Sequence, residues 1–206
     1  MSADPAGTDP RPPGDRAIDT HRLEGFSDGV LAVIITIMAF QLKAPVTADL
    51  HGLAALWPSL LVYALSFSMI GIYWNNHHHL LRATRRISAA VMWANLFLLF
   101  WLSLIPFATA WVGTSHGHAL PAATYGAIAL AAALAYFALV RAILRANPDD
   151  TGIVAAVGRD TKGIASPVIY ATGIGLAFVD PYLAYACYLS VSVLWFIPDR
   201  RLTRTT

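Results

Sequence analysis

Trp74, Asn75, Asn76, His77, His78 and His79 form the densest group of side chains in this sequence that could hold a metal, carry a proton or build a hydrogen-bond network. Far upstream, Glu24, Ser27 and Asp28 place two carboxylates and a hydroxyl within little more than one helical turn. Zinc binding is the first chemistry to weigh. Consecutive histidines on a helix point about 100° apart, whereas helical metal ligands recur at i, i+3 or i+4. The triplet therefore does not read as a metal site, and no bound metal or cofactor is expected. His78 and His79 read as the wet end of a helix. His116 and His118, in GTSHGHALPA, could sense pH but read as solvated loop residues. No nucleophile–base–orienter set, glycine-rich phosphate loop or metal motif occurs, so the chain is not expected to be an enzyme.

These polar groups sit at the edges of long apolar stretches. The chain is 57% hydrophobic and 13% charged, against about 25% charged residues in soluble domains. Lipid explains the deficit, because each ionised side chain is costly there. The basic residues punctuate apolar runs rather than gathering beside base-stacking aromatics, which argues against a nucleic-acid partner. Cys187 is the single cysteine, so no intrachain disulfide can form.

Six apolar segments stand out, over 23–42, 53–76, 88–112, 123–144, 163–179 and 182–197. A spanning helix needs about 20 residues. The expected fold is all-α: a polytopic membrane protein with six transmembrane helices per subunit. A disordered cytoplasmic tail is expected over 1–20, the six-helix domain over 21–199 and a basic cytoplasmic tail over 200–206. The first segment runs only 14 residues from Gly29 to Leu42. It reaches spanning length by taking in Glu24, Ser27 and Asp28, which must then lie among other helices or face water. The fifth holds Gly163, Pro167, Gly173 and Gly175 and is expected to be irregular or closely packed. Pro106 and Pro167 are expected to kink their helices.

Orientation follows from the basic residues. Arg11, Arg16 and Arg22 precede the first segment; Arg82, Arg85 and Arg86 follow the second; Arg141, Arg145, Arg159 and Lys162 follow the fourth; Arg200, Arg201 and Arg204 end the chain. Only Lys43 falls on the other side. The basic side is cytoplasmic, which puts both termini in the cytoplasm of an integral membrane protein whose contacts include membrane lipids.

At about 100° per residue, Phe26, Gly29, Val33, Ile37 and Phe40 share one stripe of the first helix, with Thr36 on its flank. Ser27 and Asp28 project away from it. The second helix returns to the cytoplasmic side near Trp74, Asn75, Asn76 and His77, which is the depth of Ser27 and Asp28. A polar lock between the first two helices is expected there, with Asn95 and Arg22 as further members.

Arg22-Leu23-Glu24-Gly25-Phe26-Ser27-Asp28 has the pattern R-x-x-x-F-S-D, followed by GVLAVIITIMAF. With YWNNHHHLL at 73–81 and NLFLLFWLSLIPF at 95–107, it resembles the endosomal and lysosomal potassium channel family and its shorter prokaryotic relatives. The likeness is one of motifs over the first half of the chain and of hydropathy over the second. The resemblance implies six-helix subunits in a prokaryotic cell membrane, assembled as homotetramers around a pore lined by the first helix. It implies apolar rings at Val33, Ile37 and Phe40 instead of a carbonyl filter, with potassium as the permeant ion. Val33 is smaller than the family's usual isoleucine, and Phe40 is bulkier than its usual aliphatic residue.

The leading functional reading is thus a passive potassium-permeable cation channel with modest selectivity, because apolar rings offer no ligands to replace an ion's water. The alternative is a secondary transporter of a small ion or solute. Transporters usually carry inverted repeats and a charged midplane site, and neither is visible here. An intramembrane enzyme would need paired catalytic groups at depth, which only Asp28 and the His77 region approach.

Overall fold

A computed structural model of the chain describes residues 13–115, 117–150 and 161–196. The expected tails over 1–12 and 200–206, together with His116 and Arg159, lie outside the described residues. The described elements are all helical: α1 (Pro13–Phe40), α2 (Leu50–Ala55), α3 (Trp57–Arg82), α4 (Ala89–Ser103), α5 (Ile105–Thr114), α6 (Ala119–Ala146), α7 (Thr161–Leu176) and α8 (Pro181–Phe196). Four stretches are long and apolar enough to cross a bilayer: Thr20–Phe40, Trp57–Arg82, α4 with α5 as Ala89–Thr114, and Ala119–Ala146. α8 is apolar but has 16 residues, and α7 also has 16.

Helix boundaries follow local chemistry. α1 begins at Pro13, inside the stretch read from sequence as a disordered tail over 1–20. Proline suits a first helical turn, because its missing N–H would be unpaired there anyway. Ser88, with extended backbone, starts α4 by accepting the Val91 N–H at 3.3 Å. The third apolar segment breaks at Leu104, and α5 begins there with Pro106 in its first turn. Pro106 has no N–H for the Leu102 carbonyl, so one continuous α-helix would lose a bond at that point. Pro58 plays the same part at the start of α3. α7, by contrast, runs helically through Pro167. Gly117, at φ 82° in the turn before α6, adopts the left-handed conformation that glycine tolerates.

α6 is the axis of the bundle, packing against α4, α5, α7 and α8. Its Ala122, Ala129, Ala132 and Ala135 are fully buried. Small side chains let helix backbones approach closely, which is the main source of helix association where lipid competes with every apolar contact. α1 packs on α3, α4 and α5 at the other edge. On the side of the basic loops, Asn147 ends α6 and holds the α3–α4 connection. It accepts the Arg86 N–H at 2.8 Å and donates to the Arg86 carbonyl at 3.1 Å and the Ile143 carbonyl at 3.0 Å.

Candidate functional site

α1 has two contrasting faces. Ser27, Leu31, Ile34 and Met38 recur at helical spacing and are buried against the rest of the chain. Phe26, Val33, Ile37 and Phe40 lie on the opposite side and are 52%, 56%, 44% and 84% exposed. Gly29 and Thr36 are exposed with them. Thr36 turns its hydroxyl back onto the Ala32 carbonyl at 2.8 Å, so it presents its methyl group rather than a free donor. The exposed stripe is therefore apolar from end to end.

Glu24, Ser27 and Asp28 of α1 point the other way, into α3 and α4. The Ser27 hydroxyl donates to the Leu23 carbonyl at 2.8 Å and accepts from Asn95 Nδ2 at 2.9 Å. Asn95 Oδ1 lies 2.6 Å from His77 Nε2. An amide oxygen can only accept, so the proton of this contact sits on the imidazole. The result is a one-way chain of donors from His77 to Asn95 to Ser27 to the α1 backbone. All three side chains are buried. Because such groups are costly to leave unpaired in a low-dielectric interior, they fix one arrangement of three helices.

A second pair of contacts borders this chain. Trp74 Nε1 donates to Asp28 Oδ1 at 3.0 Å. One turn along, His78 Nδ1 lies 2.7 Å from Glu24 Oε1. Four residues back along α1 match four residues forward along α3, which is the register of two antiparallel helices. The Trp74 and His78 rings stack at 6.0 Å, and Arg82 Nη1 lies 3.5 Å from His78 Nε2. His78 thus bridges α3 to α1 and corrects its reading as a wet helix end; His79 is exposed.

Of the expected lock, the structure brings together Ser27, Asp28, Trp74, His77 and Asn95. Arg22 is exposed and makes no hydrogen bond or ion pair with them among the described residues. Asn76 is not part of the set, because it faces a cavity between α3, α6, α7 and α8. Glu24 and His78 are the members that the sequence reading missed. The signal was available: Glu24 stands at i and Asp28 at i+4 on one helix, as do Trp74 and His78 on the other.

Further along α1, Met38 enters a second polar knot. Ser66 Oγ lies 2.7 Å from Thr109 Oγ1 and 3.1 Å from the Tyr125 hydroxyl, and Thr109 Oγ1 lies 3.9 Å from Met38 Sδ. α3, α5 and α6 meet there behind α1. Among the described residues no group of histidine, cysteine and carboxylate side chains could hold a metal ion.

Residues 22–106 match the family described as "Endosomal/lysosomal potassium channel TMEM175". A potassium channel of Chryseobacterium sp. (strain P1-3) is 44% identical over 89% of this chain and 96% of its own length. A potassium channel of Streptomyces collinus is 34% identical over 82% of this chain and 88% of its own length. The crystal structure of a lysosomal potassium-selective channel TMEM175 homolog from Chamaesiphon minutus superposes with a TM-score of 0.76 at 27% identity, covering 87% of this chain and 97% of that one. The likeness runs the length of the helical bundle, well beyond the motif on α1, and the chain belongs to the TMEM175 potassium channel family as an integral membrane protein.

Proposed function

We propose that this chain is one subunit of a homotetrameric, potassium-permeable channel whose pore is lined by the exposed stripe of α1. The observation that carries the reading is the two-faced character of that helix. Its Glu24, Ser27 and Asp28 side chains meet partners on α3 and α4, while Val33, Ile37 and Phe40 stand uncovered in a row. One subunit supplies one such helix and no repeat, so enclosing a path requires further copies. Four copies would stack three apolar rings. The relatives named as potassium channels support the choice of ion.

On this reading the six apolar segments are six spans with both termini cytoplasmic. The thirteen basic residues gathered on one side support that orientation. The ion passes without a resident metal or cofactor. An apolar ring conducts only when it is wide enough to stay wet, and narrowing it gates the pore by dewetting. It supplies no oxygen ligands, so potassium over sodium selectivity is modest. Ser27, Asp28 and their partners hold the pore helix to its subunit and do not touch the ion.

The test is purified protein in a planar bilayer with opposed potassium and sodium gradients. Currents that follow the ion gradient, with a reversal potential displaced moderately toward that of potassium, are expected. Absence of current, or flux coupled to a second solute, would overturn the channel reading. A reversal potential at the potassium limit would overturn modest selectivity alone.

A further inference from the structure

On the far side of α3 from the lock, a cavity lies between α3, α6, α7 and α8. It is partly open, and about 40 Å³ of it is available to the centres of water-sized molecules. That inner space is room for roughly three waters. None of the twelve lining residues is charged at neutral pH. Tyr73, Tyr136, Tyr170, Trp195 and Met69 make most of an aromatic and thioether wall.

The polar groups in this wall fall into two sets. Some are committed: Trp195 Nε1 donates to Ser166 Oγ at 2.9 Å, Ser166 donates to the Lys162 carbonyl at 2.8 Å, and the Tyr170 hydroxyl lies 3.8 Å from Met69 Sδ. Others are not. Ser192 is only 4% exposed, yet its hydroxyl makes no hydrogen bond among the described residues. The Asn76 carboxamide and the Tyr73 hydroxyl, in the same wall, likewise make none among the described residues. Uncommitted donors and acceptors in an apolar enclosure are what a binding pocket needs to orient a ligand.

We infer that this cavity binds a small neutral alcohol, with its hydroxyl held by Asn76 and Ser192 and its short apolar chain against the tyrosines, Trp195 and Met69. A hydroxyl can both donate and accept, which matches a wall that carries both a carboxamide and a serine hydroxyl. A charged ligand would lose its hydration with no opposite charge in the wall. A purely apolar chain would leave the three polar groups unpaired. Water alone would need two to four polar partners per molecule, and three groups spread over aromatic walls are few for three waters. The site does not depend on the pore reading, because no residue of α1 lines it.

The test is photolabelling of the purified full-length chain in detergent with a diazirine-bearing octanol, followed by peptide mapping. Adducts are expected on the cavity faces of α6, α7 and α8, at residues such as Tyr136, Tyr170 and Trp195, and excess unlabelled hexanol should remove them. Ser192→Ala and Asn76→Leu should each weaken the hexanol competition by roughly three- to tenfold, the worth of one hydrogen bond. Ala133→Leu fills the space without touching a polar group and should abolish the adducts. If a variant does not elute as the wild type does, competition on the wild-type protein decides the matter. Adducts spread over the lipid-facing surface, or unmoved by hexanol, would overturn the inference. Hexane competing as well as hexanol would overturn the role of the hydroxyl.

Discussion

The α1–α3–α4 side of the bundle and the α6–α7–α8 side are held together by different means. On the first side, polar side chains meet across helices: the buried Ser27, Asn95 and His77 with one another, and, nearer the surface, Asp28 with Trp74 and Glu24 with His78. On the second side, small residues make room for large ones. A side chain on Gly173 would collide with Tyr188 at 2.5 Å, and one on Gly126 would meet the same ring. Tyr188 stacks on Tyr125 at 5.7 Å and donates to the Ala122 carbonyl at 3.1 Å. Polar bonds specify which partner a helix takes, whereas close packing supplies most of the contact energy where lipid is as apolar as the protein. The family match over 22–106 covers the polar side and stops at α5. A hydrogen-bond network demands particular residue types, whereas a packed seam accepts any set of matching volumes.

The contrast can be broken most severely on the packed side. Gly173→Val puts two methyl groups into space held by Tyr188 and Cys187, and overpacking of this kind costs about 1–3 kcal/mol or more. It should lower the thermal unfolding temperature in detergent further than any change on the polar side or the exposed stripe. Gly175→Val, with nothing within 4 Å of the added carbon, is the matched control and should be near neutral. Equal losses from the two would mean that α7 responds to valine itself rather than to the Tyr188 seam.

The next effect should come from the polar side. Asn95→Leu leaves the His77 Nε2–H unpaired and removes the donor that the Ser27 hydroxyl accepts, while Ser27 keeps its bond to the Leu23 carbonyl, at about 1–2 kcal/mol given the modest worth of interhelical hydrogen bonds in membranes. A double-mutant cycle of Asn95→Leu with Ser27→Ala should show strong coupling, whereas Asn95→Leu with Gly173→Val should be additive. Coupling between the latter pair would show that the two sides are not independent.

Asp28 should matter less. Asp28→Asn keeps an oxygen that can accept from Trp74, so it should lower stability or assembly by about 0.5–1 kcal/mol, and Asp28→Leu by more. Both should disturb thermal stability more than the potassium-to-sodium reversal potential. A stable Asp28→Asn protein with altered selectivity would place that carboxylate in the ion path instead.

The smallest effect on stability, and the largest on current, should come from the exposed stripe. Ile37→Asn touches no buried contact of the subunit, so the unfolding temperature should hardly move. Single-channel conductance should rise, because a polar ring lowers the dewetting barrier, and potassium preference should fall. Ile35→Asn, packed against the core and off the stripe, should lower stability and leave conductance unchanged. The same conductance change from both, or none from Ile37→Asn, would remove α1 from the pore.

Much of this architecture could be read in the residues themselves. Hydropathy marked the apolar segments, because a bilayer imposes length and composition on each helix separately. Periodicity divided α1 into an apolar stripe and a polar back, because the 3.6-residue repeat fixes which side chains share a face. Partners could not be read in that way. Asn95 joins α1 to α3 only because α4 approaches both of them, and no local rule states which helices become neighbours. Asn76 is one residue from His77 and about 100° around α3, so a lock expected from sequence included it, while packing turned it to the opposite cavity. His78 reads as solvated until the antiparallel register of α1 and α3 sets it opposite Glu24. The cavity itself depends on how the volumes of α3, α6, α7 and α8 fill the space between them. Side-chain type and helical phase are local properties of the chain, whereas register, neighbours and voids belong to the assembled bundle and exist only once it has packed.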